Sequence, residues 1–220
     1  MASLVLLIGI LSSLEIFNGG FAFTQMLFFT FWANFLTFLF FISLTIKSGI
    51  NLKLGGKFGN CFFYSKIYGT LMVAMILVML AFWIGIAPFV ENTHELWRFS
   101  NFATHVINPI IIITDYVLFS KAGFIAVKDP LLYLVFPGIY GIAATVMGFS
   151  GVEFVSPYFD YPHAFPYPFM NWHDFGALTS LMLLAAVVIF AGTGYALYAI
   201  DKKRAGVVAN SPYSQEVEVA

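Results

Sequence analysis

Long apolar runs separated by short polar intervals dominate the chain. Six runs cover residues 3–17, 28–46, 67–90, 101–120, 130–150 and 175–200. Most approach or exceed the roughly 20 residues a helix needs to cross a bilayer core. The first is the shortest. It lacks the basic start and small-residue cleavage site of a signal peptide, so it is read as a helix extending toward Phe23. Only helices and closed barrels satisfy their backbone groups in lipid. The pattern predicts an all-α polytopic membrane protein, with a six-transmembrane-helix bundle over residues 1–204. The remainder, AGVVANSPYSQEVEVA at 205–220, has no sustained period and is read as a disordered cytoplasmic tail.

Composition supports lipid as the solvent. The 220 residues are 60% hydrophobic and 10% charged, against about 25% charged in soluble domains. A net charge of -1 gives no reason to expect a nucleic-acid partner, and one cysteine, Cys61, excludes an internal disulfide framework. The placement of charge adds an orientation. Lys47, Lys53, Lys57 and Lys66 lie between the second and third runs, Lys121 and Lys128 between the fourth and fifth, and Lys202, Lys203 and Arg204 after the sixth. Only Arg98 falls on the other side. By the positive-inside rule both termini face the cytoplasm of a cell-membrane protein.

With that topology, the polar residues inside the runs collect near the outer end. In FFTFWANF, residues 28–35, Thr30 and Asn34 are one helical turn apart. In FATHVINP, residues 102–109, His105 lies as close to its helix start as Thr30 does to its own. At about 1.5 Å per residue the two differ in depth by only a few ångströms. His105, Asn108, Ile112 and Asp115 share one face of the fourth helix. That face should turn inward, because ionisable groups facing lipid are expensive. Asp115 lies about 15 Å deeper than His105. Pro109 frees a carbonyl near residue 105, a candidate for setting the imidazole tautomer. The segment GVEFVSPYFDYPHAFPYPFMNWHD, residues 151–174, carries four prolines and no Lys or Arg. It suits the membrane interface and a lid over the outer mouth.

Each candidate has a bland alternative. Thr30 is a nucleophile if His105 is its base; otherwise its hydroxyl bonds back to the i−4 carbonyl, a habit of Ser and Thr in membrane helices. His105 and Asp115 are functional or are structural clamps between helices. Asp160, His163, His173 and Asp174 offer metal-ligand chemistry, yet their spacing matches no strong zinc signature. Glu15 is expected at the headgroups, with a cavity-lining role as the lesser option. No Gly-rich phosphate loop and no G-x-S-x-G elbow is present.

MLFFTFWANFLTFLFF resembles the second-span signature of the androgen-induced protein family, which has bacterial six-span relatives. FATHVINPIIIITDYVLF is similar to that family's fourth span, and FPYPFMN to its Tyr-Pro motif in the last outer loop. The resemblance implies a transmembrane threonine hydrolase of fatty acid esters of hydroxy fatty acids, with Thr30 and His105 as the essential pair. The long Phe/Pro-rich outer loop is closer to the bacterial relatives, whose substrates the resemblance does not define. The expected function is therefore hydrolysis of a membrane lipid ester, without a cofactor. Asn34 is the expected oxyanion donor, with Asn108 and Asp115 as supporting residues. The alternative is a small transporter or lipid-binding protein using His105 and Asp115 as a proton relay, against which the absence of recognisable inverted repeats counts.

Overall fold

A computed structural model of the chain describes residues 1–55, 64–90, 93–158 and 162–209. Among these the protein is a bundle of helices without a named strand; one isolated bridge pairs Phe154 with His163. Five helices are long and apolar enough to cross a membrane. They are α2 (Phe29–Lys53), α3 (Ser65–Phe89), α4 (Phe99–Phe119) and α5 (Asp129–Phe149), followed by α6 (Leu178–Ala209). Lys57, Cys61, Asp160 and residues 210–220 lie outside the described residues.

The first run forms a shorter helix than the pattern predicts. Helix α1 spans Ala2–Ser13, 12 residues, or about 18 Å, and does not continue toward Phe23. Its end follows from the local sequence. Ser13 bonds back to the Ile10 carbonyl at 2.8 Å, and Glu15 takes a left-handed conformation at φ 60°. Gly19 and Gly20 follow, and both disfavour a helix. At the other end of the chain, α6 begins at Leu178, later than expected, because Gly176 at φ 50° breaks the chain direction. It then runs to Ala209, past the expected boundary at Arg204.

Helix α3 is the centre of the bundle. Tyr68, Leu71, Met72, Val73, Ala74, Met75, Leu77 and Val78 are all buried, so it is apolar on nearly every side, as a central helix must be. It packs against α2, α4, α5 and α6, while α1 packs against α2 and α4. Helices α5 and α6 are mostly peripheral, leaving Ile139, Ile142, Val146, Leu181, Val187 and Val188 exposed. Such faces suit lipid, where every backbone group is satisfied within the helix.

Away from the expected site, two carboxylates hold helix ends. Asp201, fully buried, accepts from the Ile125 N–H at 2.9 Å and the Tyr116 hydroxyl at 3.3 Å. Arg204 lies 3.7 Å from it, stacks 4.3 Å over the Tyr116 ring and donates to the Ser120 hydroxyl at 3.0 Å. A buried carboxylate needs such partners, since its desolvation is otherwise uncompensated. Asp115, half-buried, accepts from the Tyr68 hydroxyl at 2.9 Å.

The loop after α5 folds back onto the bundle because Gly148 leaves room for it. A Cβ at Gly148 would overlap the Phe165 ring and come within 2.6 Å of the Ala164 carbonyl oxygen. Gly148→Ala should therefore lower thermal stability by about 1–3 kcal/mol through overpacking. Thermal unfolding of the detergent-solubilised variant checks this, and an unchanged midpoint would show that the loop docks without this contact.

Candidate active site

The C-terminal end of α3 and the N-terminal end of α4 depart from α-helical winding in the same way. Each has a π turn, Ala81–Ile86 in α3 and Ala103–Ile107 in α4, and each turn is followed within two residues by a proline, Pro88 or Pro109. A proline has no N–H to close the ladder. Wide turns of this kind are frequent at functional sites. Here they bring Phe82 and His105 face to face, with ring centroids 4.0 Å apart and planes inclined by 27°.

His105 is buried, and its two ring nitrogens have different partners. Nδ1 lies 3.1 Å from the Asn101 carbonyl oxygen, which can only accept. Nδ1 therefore carries the proton, and in the neutral imidazole Nε2 is an acceptor. The Thr30 hydroxyl lies 3.3 Å from Nε2 and donates to it. The expected pairing of Thr30 with His105 is thus present, and α2 and α4 are neighbours. The carbonyl that sets the tautomer is that of Asn101, one turn before His105, rather than one freed beside it by Pro109. Helical side chains lean toward the N-terminus, which brings the i−4 carbonyl within reach. The Thr104 hydroxyl, which donates to the Ser100 carbonyl at 2.9 Å, is also 3.2 Å from Nδ1.

Thr30 breaks the habit of its residue type. Ser43, Thr45, Thr70, Thr104, Thr145 and Thr193 all bond back to the carbonyl four residues earlier. The carbonyl available to Thr30 in that way is that of Met26, and the Trp32 indole N–H already occupies it at 2.8 Å. Thr30 also sits in the first turn of α2, which the extended Phe28 separates from a short 3-10 turn at Phe23–Leu27. Its hydroxyl is left to face His105.

Asn34 is not placed as an oxyanion donor. Its amide nitrogen donates to the Thr30 carbonyl at 2.8 Å and the Thr104 carbonyl at 3.3 Å, while its oxygen accepts from Asn108 at 2.7 Å. Both amide hydrogens are committed, and both residues are fully buried. Asn34 and Asn108 form a clamp between α2 and α4 beneath the Thr30–His105 pair. Asp115 belongs elsewhere, bonded by Tyr68, with fully buried Ile112 between it and Asn108 on the same face.

A cavity of about 100 Å³ opens over the pair, lined by Thr30, Asn34, Phe82, Asn101 and His105 from the helices and by Tyr158 and Tyr167 from the outer loop. On this measure a single water needs about 10–15 Å³, so the space has room for a small polar group such as an ester. Glu15 lines it too, the second of its two expected positions, and Arg98 reaches it at 3.1 Å while binding Glu95 at 3.0 Å. Asn101 is held in turn: its amide donates to the Leu96 carbonyl at 2.7 Å and its oxygen accepts from the Tyr158 hydroxyl. Tyr167 accepts from the Phe29 N–H at 3.2 Å, next to Thr30 in the chain. Sequence reasoning missed Phe82, Asn101 and Tyr158; Pro88 was the available signal for the first, and FPYPFMN had already drawn attention to the segment containing Tyr167.

Among the described residues, the metal candidates between α5 and α6 are not drawn together. His163 belongs to the bridge with Phe154, whereas His173 and Asp174 lie in the one-turn helix Trp172–Phe175. His173 packs edge-on against Phe149 and Phe165, and Asp174 accepts from the Asn171 amide at 2.6 Å. Among the described residues no group of three His, Cys, Asp or Glu is placed to hold an ion. Comparison of the chain with protein-family models, with curated proteins and with solved structures finds no match.

The amide clamp predicts a coupled stability effect. Asn34→Ala leaves the Asn108 amide and two carbonyls short of a partner, at a cost of about 1–3 kcal/mol. The Asn34→Ala/Asn108→Ala double variant should cost less than the sum of the single variants. Thermal unfolding of the three proteins measures this, and strictly additive losses would mean that the amides act separately.

Proposed function

We propose that the protein is an integral membrane hydrolase of lipid esters in which Thr30 is the nucleophile and His105 the general base. The observation that carries the reading is the 3.3 Å approach of the Thr30 hydroxyl to His105 Nε2 beside the cavity. His105 Nε2 takes the hydroxyl proton as the Thr30 oxygen bonds to the ester carbonyl carbon. The tetrahedral intermediate collapses, the ester C–O bond breaks, and the departing alkoxide receives the proton from His105. Water then attacks the acyl-threonine, gives its proton to His105, and the released Thr30 oxygen is reprotonated.

Several features support this chemistry in lipid. The tautomer required of His105 is held by a backbone carbonyl, so no further buried charge is needed at the base. A water-poor site strengthens each polar interaction. The cavity accommodates the reacting group, and the acyl chains remain among the phenylalanines and the bilayer. We further infer six membrane-embedded helices, α1 included, with both termini cytoplasmic and the cavity toward the outer leaflet. The resemblance of the second and fourth spans to the androgen-induced protein family makes a fatty acid ester of a hydroxy fatty acid the first substrate to test. The proton-relay alternative draws less support, since Tyr68 holds Asp115 away from His105.

Labelling detergent-solubilised protein with a lipophilic fluorophosphonate, followed by peptide mass spectrometry, tests the reading. Label should appear on Thr30, vanish in Thr30→Ala and His105→Ala, and persist in Asp115→Asn. Ester hydrolysis should fall about 10²–10⁴-fold in His105→Ala. Folded wild-type protein that takes no label would overturn the hydrolase.

A further inference from the structure

With Asn34 committed to the clamp, the proposed reaction lacks a donor for the charge that develops on the ester oxygen. Tyr167 is the group placed to supply it. It lines the cavity together with Thr30, and its hydroxyl accepts from the N–H of Phe29, the residue before Thr30, at 3.2 Å. By accepting from the backbone it leaves its own O–H free to donate. The ring is fixed by edge-on contact with Phe28 and by stacking on Phe169, with centroids 6.2 Å and 5.5 Å apart. The neighbouring Tyr140 hydroxyl donates to the Leu27 carbonyl at 3.0 Å, so it does not compete for that role. Burial pushes the Tyr167 phenol up to about 12, opposed by the neighbouring polar groups of Thr30, Phe29 and Tyr140, which keeps it protonated at neutral pH.

We propose that Tyr167 is a catalytic residue of the Thr30 site, donating its hydroxyl hydrogen first to the Thr30 oxygen and then to the oxyanion of the tetrahedral intermediate. The assignment rests on the hydrolase reading and adds no bond change to it. As Thr30 loses its proton to His105, the Tyr167 hydrogen bond meets growing negative charge. That charge moves to the adjacent carbonyl oxygen once the new C–O bond forms. The outer loop thus brings a reacting group to the site as well as covering it.

The test compares the full-length wild type with Tyr167→Phe in detergent, using p-nitrophenyl palmitate as reporter substrate. Dodecylboronic acid serves as the tetrahedral adduct and dodecyl 4-nitrophenyl ether as the ground-state analogue. Tyr167→Phe should lower kcat about a hundredfold, leave KM within about twofold, and weaken boronate inhibition by a similar factor while ether inhibition stays unchanged. Wild-type kcat in Tyr167→Phe would overturn the assignment, as would equal weakening of both inhibitors. If Tyr167→Phe does not fold, 3,5-difluorotyrosine at 167 keeps the ring and hydroxyl. Its kcat should fall as pH rises through the fluorinated phenol's lowered pKa, where wild type stays level; matching profiles would overturn the assignment. Wild type that neither hydrolyses ester nor takes fluorophosphonate on Thr30 would remove the hydrolase reading itself, an outcome separable from failure of Tyr167 alone.

Discussion

Two buried amides, Asn34 on α2 and Asn108 on α4, meet at 2.7 Å, and the geometry of the cavity follows from that contact. In lipid there is little hydrophobic drive to bring one apolar helix against another, and polar side chains supply part of the attraction. The Asn34 amide also takes the carbonyls of Thr30 and Thr104, one from each helix. It therefore sets both the separation and the register of the two helices. Thr30 lies one turn above this clamp and His105 beside it, so their approach depends on a contact that neither residue makes.

The pair above the clamp is built without a buried charge. Its members are a hydroxyl, an imidazole and backbone carbonyls, with two loop phenols at the margin. A carboxylate oriented toward His105 would have required compensation in a region where ionised groups are costly. The ionisable groups lie apart: Glu15 and Arg98 at the cavity's rim with Glu95 behind them, Asp115 beneath Tyr68, and Asp201 with Arg204 at the far end of α6. The paired π turns make room for this arrangement, because each widened turn redirects a ring that a regular helix would aim elsewhere.

The loop between α5 and α6 is coupled to the same elements at three points. Tyr158 holds Asn101, whose carbonyl sets the His105 tautomer; Tyr167 meets the first turn of α2; and Phe165 seats in the space left by Gly148 on α5. Loop position, helix start and imidazole orientation are consequently one connected structure. A shift in the loop would reach the base through Asn101 rather than through direct contact.

The sequence by itself determined the class of protein, the long apolar helices and the candidate pair. Run length, sparse charge and matched depth are local or additive properties, and they identify Thr30 and His105 as well as the tendency toward a membrane bundle. It misjudged α1, where Ser13, Glu15 and the following glycines end a helix that hydrophobicity alone would continue. Tertiary structure decided the roles of the remaining polar residues. Whether Asn34 faces a substrate or a helix depends on Asn108, 74 positions away. Tyr167 and Thr30 meet only because a proline-rich loop returns across the bundle. Such contacts leave no periodic trace in the chain, since hydrogen-bond partners are chosen by distance in space and not by spacing along the backbone.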